Sequence, residues 1–232
     1  MKAHIALLSM SLKNINFPGE KINYLTPAWD EINDLTFKIA RQILDAGKKF
    51  DRIVTLAKGG WPMTRSLVDF LSVDKVVSLG IKFYSGINQR FSQPEIYQDF
   101  PVKLTGEKIL LFDDVTDTGN SFQFTQTHLQ KNNVQSITTA SLFYKPHSVF
   151  KPDYYGFETS AWIIFPYERI ESMKFLINKW QSRGLSQTQI SSRLIKLGTP
   201  ESWIKFYVSE EIMAENLLYN RRKLPDKSPA FF

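Results

Sequence analysis

The sequence predicts an α/β fold: a twisted parallel sheet flanked by helices, followed by a C-terminal helical appendage. Three observations carry that expectation. Segments of strand and helix character alternate between residues 29 and 144. The apolar run 109–112 is short and unbroken and enters from Thr105-Gly106, as a strand buried on both faces does. After Glu168 the alternation stops and only helical spacing remains.

Residues 29–44 carry Ile32, Leu35, Ile39 and Ile43 on one helical stripe, with Thr26-Pro27 as cap and first turn and Gly47 as the stop. Residues 51–57 read as a strand, 62–71 as a helix and 75–83 as a second strand. Residues 84–103 hold Gly86, Pro94 and Pro101 among polar and aromatic residues and read as one long loop, a length that usually serves function. The strand 108–112, a helix from Phe122 to about Lys131 and the strand 136–144 complete the alternation. Ligands of such sheets bind beyond the carboxyl ends of the strands.

The tail carries Ile170, Met173, Ile177 and Trp180 on a first helix. Ser186 and Gln189 form a capping box for a second, which holds Ile190, Leu194 and Leu197 and stops at Gly198. Thr199-Pro200 opens a third, with Trp203, Ile204 and Tyr207, of which Trp203 and Tyr207 read as core, and residues 221–232 read as a loosely held terminus. The expected division is therefore 1–168, a catalytic domain with a small hood from about 145–168 and the N-terminal segment, and 169–232, a helical extension.

A hydrophobic fraction of 43% with 22% charged residues is that of a soluble globular protein. No apolar run is long enough to span a membrane. The first ten residues lack a signal-peptide pattern, since His4 interrupts the apolar run and no small-residue cleavage site follows. The absence of cysteine excludes disulfides and thiolate metal sites and points to the cytoplasm. The net charge of +6 is uneven: residues 1–168 hold 18 basic and 17 acidic side chains, and 169–232 hold 11 and 6. An anionic partner would therefore meet the tail.

The most informative stretch is ILLFDDVTDTGNS, residues 109–121. A buried strand ends in Asp113 and Asp114. Thr116, Asp117, Thr118, Gly119, Asn120 and Ser121 then lead into a helix. Backbone N–H groups at that junction, with two hydroxyls and no bulky side chain, suit a phosphate, and the neighbouring acids suit sugar hydroxyls or a metal.

This stretch resembles the 5-phosphoribosyl 1-pyrophosphate (PRPP) signature of the type I phosphoribosyltransferases. IVTLAKGG at 53–60 resembles their pyrophosphate loop, and YKP at 144–146 and WIIFPYE at 162–168 resemble base-recognition segments of the archaeal-like 6-oxopurine branch. The resemblance covers roughly residues 22–168. It implies a purine, PRPP and pyrophosphate as ligands, Mg²⁺ as cofactor, a homodimer and a role in purine salvage.

It also implies roles. Asp113 and Asp114 take the ribose hydroxyls, Asp114 and Glu168 the magnesium shell, and Asp117 the proton at the purine N7. Thr116 belongs to the same substrate-binding run. Thr118, Gly119, Asn120 and Ser121 clasp the 5-phosphate, and Lys58, Gly59 and Gly60 hold the pyrophosphate, with a non-prolyl cis peptide before Lys58. Lys82 and Tyr84 open a mobile catalytic loop; Arg90 within it could reach pyrophosphate, although an exposed loop arginine is more often merely solvated. Lys145 donates to the purine O6, because an ammonium can only donate and so selects an oxo group over an amino group. Trp162 stacks on the base, Ile163 reads its edge through the backbone, and Glu168 adds a base contact. Three residues depart from the pattern: Asn120 where many relatives have lysine, Phe83 where several have serine, and Tyr167 where tryptophan is usual.

Two alternatives accompany the transferase. A phosphohydrolase on the same scaffold would cleave a purine monophosphate such as XMP without pyrophosphate. A nucleotide-sensing regulator would use residues 189–208, where Gly198 mimics the turn of a helix-turn-helix. The basic tail fits phosphate contacts, but the third helix offers little base-reading chemistry, so nucleic acid is the less favoured partner.

Overall fold

The computed structural model describes residues 12–84 and 93–208. In chain order its first elements are strands β1 (Asn14–Ile15) and β2 (Tyr24–Leu25), helix α1 (Trp29–Asp45), strand β3 (Arg52–Ala57) and helix α2 (Trp61–Leu71). Strands β4 (Val76–Tyr84), β5 (Gln93–Gln98) and β6 (Lys108–Thr116), helix α3 (Asn120–Lys131) and strand β7 (Ser136–Tyr144) follow. Strands β8 (Tyr154–Glu158) and β9 (Trp162–Ile163) then lead to helices α4 (Arg169–Ser182), α5 (Gln187–Lys196) and α6 (Glu201–Val208).

The chain forms two compact units. The first holds Pro27–Tyr84 and, among the described residues, 93–161. Its sheet has the order β5-β4-β3-β6-β7-β8. All pairs are parallel except the edge pair β4-β5. Helices cover both faces, as alternation requires. Thr64 Oγ1 of α2 donates to Thr55 Oγ1 at 2.8 Å, which places α2 over the Thr55 face. Val54, Leu56, Ile109 and Leu111 point the other way and share a core with Phe122 and Leu129 of α3. The predicted stripe of α1 is buried, and Phe37 meets Phe70 of α2 edge-on at 5.3 Å.

Chain order reverses between β3 and β6: α2 carries the chain from β3 outward to β4, and α3 carries it from β6 outward to β7. That switch point is where open α/β sheets bind ligands, past the carboxyl ends of the strands.

Several expectations are corrected here. The stretch 84–103 is not all loop, because β5 pairs antiparallel with β4, setting Lys82 opposite Glu95 and Tyr84 opposite Gln93. Pro94 disguised it in the sequence, and an edge strand is where a residue without an N–H is tolerated. Strand β6 continues past Phe112 to Thr116, so the acids lie on the strand itself. The N-cap of α1 is Ala28, whose N–H donates to Glu31 Oε2 at 2.8 Å, in place of Thr26-Pro27. The short strands β1, β2, β8 and β9 left no clear signal in the sequence.

The second unit combines Lys13–Thr26 with residues 162–208 among those described. The division in the chain thus falls after Ala161, ahead of Glu168, and the N-terminal segment goes with the helices. The cause is local pairing and packing: β2 bonds to β1 and to β9, and Phe17, Tyr24 and Ile164 share one core with Met173, Ile177, Trp180, Ile190, Leu194, Leu197 and Ile204. Ser186 caps α5 as its sequence predicts, with Gln189 returning the bond to the Ser186 N–H at 2.8 Å. Ile204 is buried, but Trp203 is 42% exposed and is not core. Among the described residues no helix is long and apolar enough to cross a membrane. Arg90 and residues 221–232 lie outside the described residues, as does the side chain of Tyr84.

Candidate active site

Two loops meet at the switch point of the first unit. The first follows β3. The Ala57–Lys58 peptide is cis, as the resemblance implies. Gly60 N–H donates to Leu56 O at 3.0 Å, and the Trp61 N–H to Lys58 O at 3.2 Å, which folds Lys58-Gly59-Gly60 into a turn at the start of α2. Both glycines face crowded ground. A Cβ on Gly60 would lie 3.0 Å from Leu56 O and 3.1 Å from Phe112 O. A Cβ on Gly59 would lie 2.5 Å from Asp114 Oδ2. Lys58 itself is exposed.

The second loop ends β6. Asp114 is 5% exposed, buried beneath Gly59, while Asp113 is half-buried and accepts the Asp114 N–H on Oδ1 at 3.0 Å. Thr116 is buried, and its hydroxyl donates to Ser141 Oγ at 2.9 Å, so this side chain serves the sheet. Asp117 stands at the surface of the strand end with a 41% exposed side chain. Gly119, at φ +88°, turns the chain into α3, and Thr118 Oγ1 accepts the Asn120 N–H at 3.4 Å. Thr118 and Asn120 are exposed and Ser121 is half-buried, so the first turn of α3 offers backbone N–H groups to an anion.

Past the end of β7, Lys145 is only 6% exposed, and its Nζ donates to the Ala161 carbonyl. Burial pushes its pKa below the ordinary lysine value, and the charge of Asp117 opposes that fall. A buried cation beside a carboxylate, with further donors on its ammonium, is suited to a carbonyl oxygen. His147 follows two residues later, with Nε2 3.2 Å from Asp117 Oδ1. The sequence reading overlooked it, although its place directly after Lys145-Pro146 was the available signal.

On β4, Lys82 is exposed and its Nζ lies 4.9 Å over the Tyr97 ring. Trp162, Ile163 and Glu168 belong to the second unit. There Trp162 stacks on Phe175 at 4.9 Å, with Lys179 5.9 Å from its ring centre. The Trp162 backbone N–H donates to Asn23 O at 2.8 Å. Ile163 is buried and pairs with Leu25. Glu168 caps α4, where its carbonyl accepts the Ser172 N–H at 2.9 Å. Among the described residues no cluster of three or more His, Cys, Asp or Glu could cage a metal ion.

Residues 23–169 match the family described as phosphoribosyl transferase domain. The chain is 28% identical over 141 residues to the hypoxanthine-guanine phosphoribosyltransferase of Bos taurus, covering 55% of this chain and 65% of that protein. It therefore spans just under two thirds of that relative's length. It is 24% identical over 143 residues to the xanthine-guanine phosphoribosyltransferase of Idiomarina loihiensis, covering 61% of this chain and 84% of the other. Among solved structures, the purine phosphoribosyltransferase of Pyrococcus horikoshii superposes with a TM-score of 0.57 at 28% identity, over 62% of this chain and 93% of that one.

Proposed function

The chain belongs to the phosphoribosyl transferase domain family, and from that premise we propose that it is a 6-oxopurine phosphoribosyltransferase of purine salvage. It would join a purine to PRPP, forming the nucleoside 5′-monophosphate and pyrophosphate. The observation that carries the 6-oxo specificity is Lys145, a buried ammonium beside the charge of Asp117. A donor-only cation held there favours an oxo group at C6 and disfavours the amino group of adenine.

In the proposed reaction the purine N9 forms a bond to the anomeric carbon while the bond from that carbon to pyrophosphate breaks. The ribose passes through an oxocarbenium-like state, so the protein must orient both partners and meet the charge that develops. Asp113 and Asp114 would hold the ribose hydroxyls, the turn Lys58-Gly59-Gly60 the pyrophosphate, and Thr118 to Ser121 the 5-phosphate. Asp117 would take the proton released by the purine. The roles of Lys82, Tyr84, Trp162, Ile163 and Glu168 rest on the resemblance alone.

The residues fit Mg²⁺. Asp114 offers hard carboxylate oxygens beneath the Lys58-Gly59-Gly60 turn, the ligand type that Mg²⁺ prefers. Asp114 would hold it, and when bound it would neutralise charge on the leaving pyrophosphate.

The test is to offer PRPP with hypoxanthine, guanine, xanthine and adenine in turn and to measure pyrophosphate and nucleotide. Transfer to the oxopurines but not to adenine supports the reading. Release of inorganic phosphate from a purine monophosphate, without pyrophosphate dependence, would replace it with the phosphohydrolase.

A further inference from the structure

We propose that His147 is a positioning residue for Asp117, fixing the carboxylate rotamer in which it accepts the proton of the purine. This deepens the transferase reading and rests on it. The geometry begins with two backbone bonds. The Lys145 N–H donates to Thr116 O at 3.0 Å and the Val149 N–H to Thr118 O at 3.0 Å. Each donor lies two residues from His147, and each acceptor one residue from Asp117. The frame thus brackets both side chains and sets them face to face.

The frame is stiffened from within. Ser148 N–H returns to Lys145 O at 3.0 Å, closing a turn around His147. Ser148 Oγ donates to Phe150 O at 2.8 Å, and Phe150 stacks on Phe122 of α3 at 5.3 Å with planes 9° apart. Gly119 packs so tightly under this turn that a Cβ would lie 2.5 Å from Ser148 Oγ and 2.7 Å from the Phe150 N. The imidazole is therefore delivered to Asp117 by backbone geometry, not by a long flexible side chain that happens to reach it.

The pair adds little to stability. With side chains 61% and 41% exposed, it is open to solvent, which screens any attraction between the two groups. Orientation is the larger effect. The last torsion of an aspartate is broad and nearly two-fold, so an unassisted carboxylate does not present one oxygen to a substrate. A ring N–H bonded to Oδ1 selects that rotamer and leaves Oδ2 for the incoming proton. The other charge on the pair is Lys145, whose ammonium acts on Asp117 from the end of β7.

The experiment is steady-state kinetics of the full chain with His147→Ala and His147→Gln, each alone and with Asp117→Asn. His147→Ala should lower kcat by about 10-fold, the scale of a misplaced proton acceptor, with KM for PRPP and purine within about twofold. His147→Gln, whose amide N–H can replace Nε2–H, should recover most of the loss. In the Asp117→Asn background His147→Ala should cost nothing further, since both act through one group. An unchanged kcat in His147→Ala, an equal loss in His147→Gln, or the same loss without the Asp117 carboxylate would each overturn the proposal.

Ring-nitrogen magnetic resonance gives a readout independent of turnover. His147 should carry its proton on Nε2 in the wild type and relax toward a tautomer mixture in Asp117→Ala. Identical ring-nitrogen spectra in the two proteins would overturn the pairing. A wild-type chain without transfer activity would instead remove the transferase reading, and the spectra would still decide the pairing.

Discussion

Gly59 and Asp114 are packed so closely that a methyl group on Gly59 would lie 2.5 Å from one carboxylate oxygen and 2.6 Å from the other and from Cγ. The contact joins the turn after β3 to the acids on β6. Gly59→Ala should leave the sheet intact yet displace either the turn or the carboxylate, lowering kcat/KM for PRPP by roughly 10²-fold, as an ångström-scale misplacement does. Kinetics beside a far-ultraviolet spectrum would check this; a fully active alanine variant would show that the close approach is incidental.

Asp117→Asn should preserve fold and nucleotide affinity while slowing transfer by ~10²–10⁴-fold, the range for a lost general base. Single-turnover rates with saturating PRPP and purine separate chemistry from binding. Near wild-type rates would remove Asp117 from the mechanism.

Lys145→Met tests specificity and stability together. Because burial holds the folded pKa below the unfolded value, the charged lysine costs stability at neutral pH, and that cost fades as pH rises through the folded pKa. The methionine variant should therefore melt at the same or a higher temperature. Losing a charged donor to O6 should weaken oxopurine transfer by ~1.5–3 kcal/mol, roughly 10- to 100-fold. A variant that melts lower with unchanged oxopurine kinetics would assign Lys145 to structure alone.

Strand and helix order across residues 29–144 was legible because burial on both faces of a parallel sheet leaves unbroken apolar runs, and helices leave stripes. The same logic fails for β5, whose edge position admits Pro94, and for two-residue strands, which are too short to leave a period. Within the candidate site, Asp113 to Ser121 were legible as a motif. His147 stood beside the Lys145-Pro146 motif, but its pairing with Asp117 was not legible, since it depends on the backbone bonds of Lys145 and Val149 to Thr116 and Thr118 across some 30 residues of chain. The grouping of Lys13–Thr26 with the tail helices depends on the pairing of β2 with β9, which no local pattern announces.

Glu20 should make the second unit acid-sensitive. Burial pushes its pKa up, but hydrogen bonds from Lys179 and Trp180 and the charges of Lys179 and Arg183 outweigh this and hold it below the usual carboxylate value. Arg193 adds a further ion pair at 3.6 Å. A depressed folded pKa gives stability that is present above the unfolded value of 4.5 and is lost as pH falls through the folded one. Glu20→Gln should lower stability by about 3 kcal/mol at pH 7, because it takes the carboxylate from the mostly buried Lys179 and Arg193 and the half-exposed Arg183, and should flatten the acid limb of a melting-temperature profile. An unchanged acid limb would exclude Glu20 as its source.

Removing residues 169–232 takes away the helices that cover Phe17, Tyr24 and Ile164. The truncated chain should lose roughly 25 cal/mol of stability per Å² of bared apolar surface, bind an apolar dye and aggregate on warming. A truncation that melts like the full chain would show that these three residues need no cover from α4 to α6.

The central claim, transfer of ribose 5-phosphate to a 6-oxopurine, is tested most directly by the stoichiometry of one reaction. Purified protein is given PRPP, Mg²⁺ and hypoxanthine, guanine or xanthine, and nucleotide and pyrophosphate are quantified together. The account predicts equimolar nucleoside monophosphate and pyrophosphate for at least one oxopurine, no product with adenine, and reversal when pyrophosphate is added to that nucleotide. No nucleotide from any oxopurine, with phosphate released from a purine monophosphate instead, would contradict it.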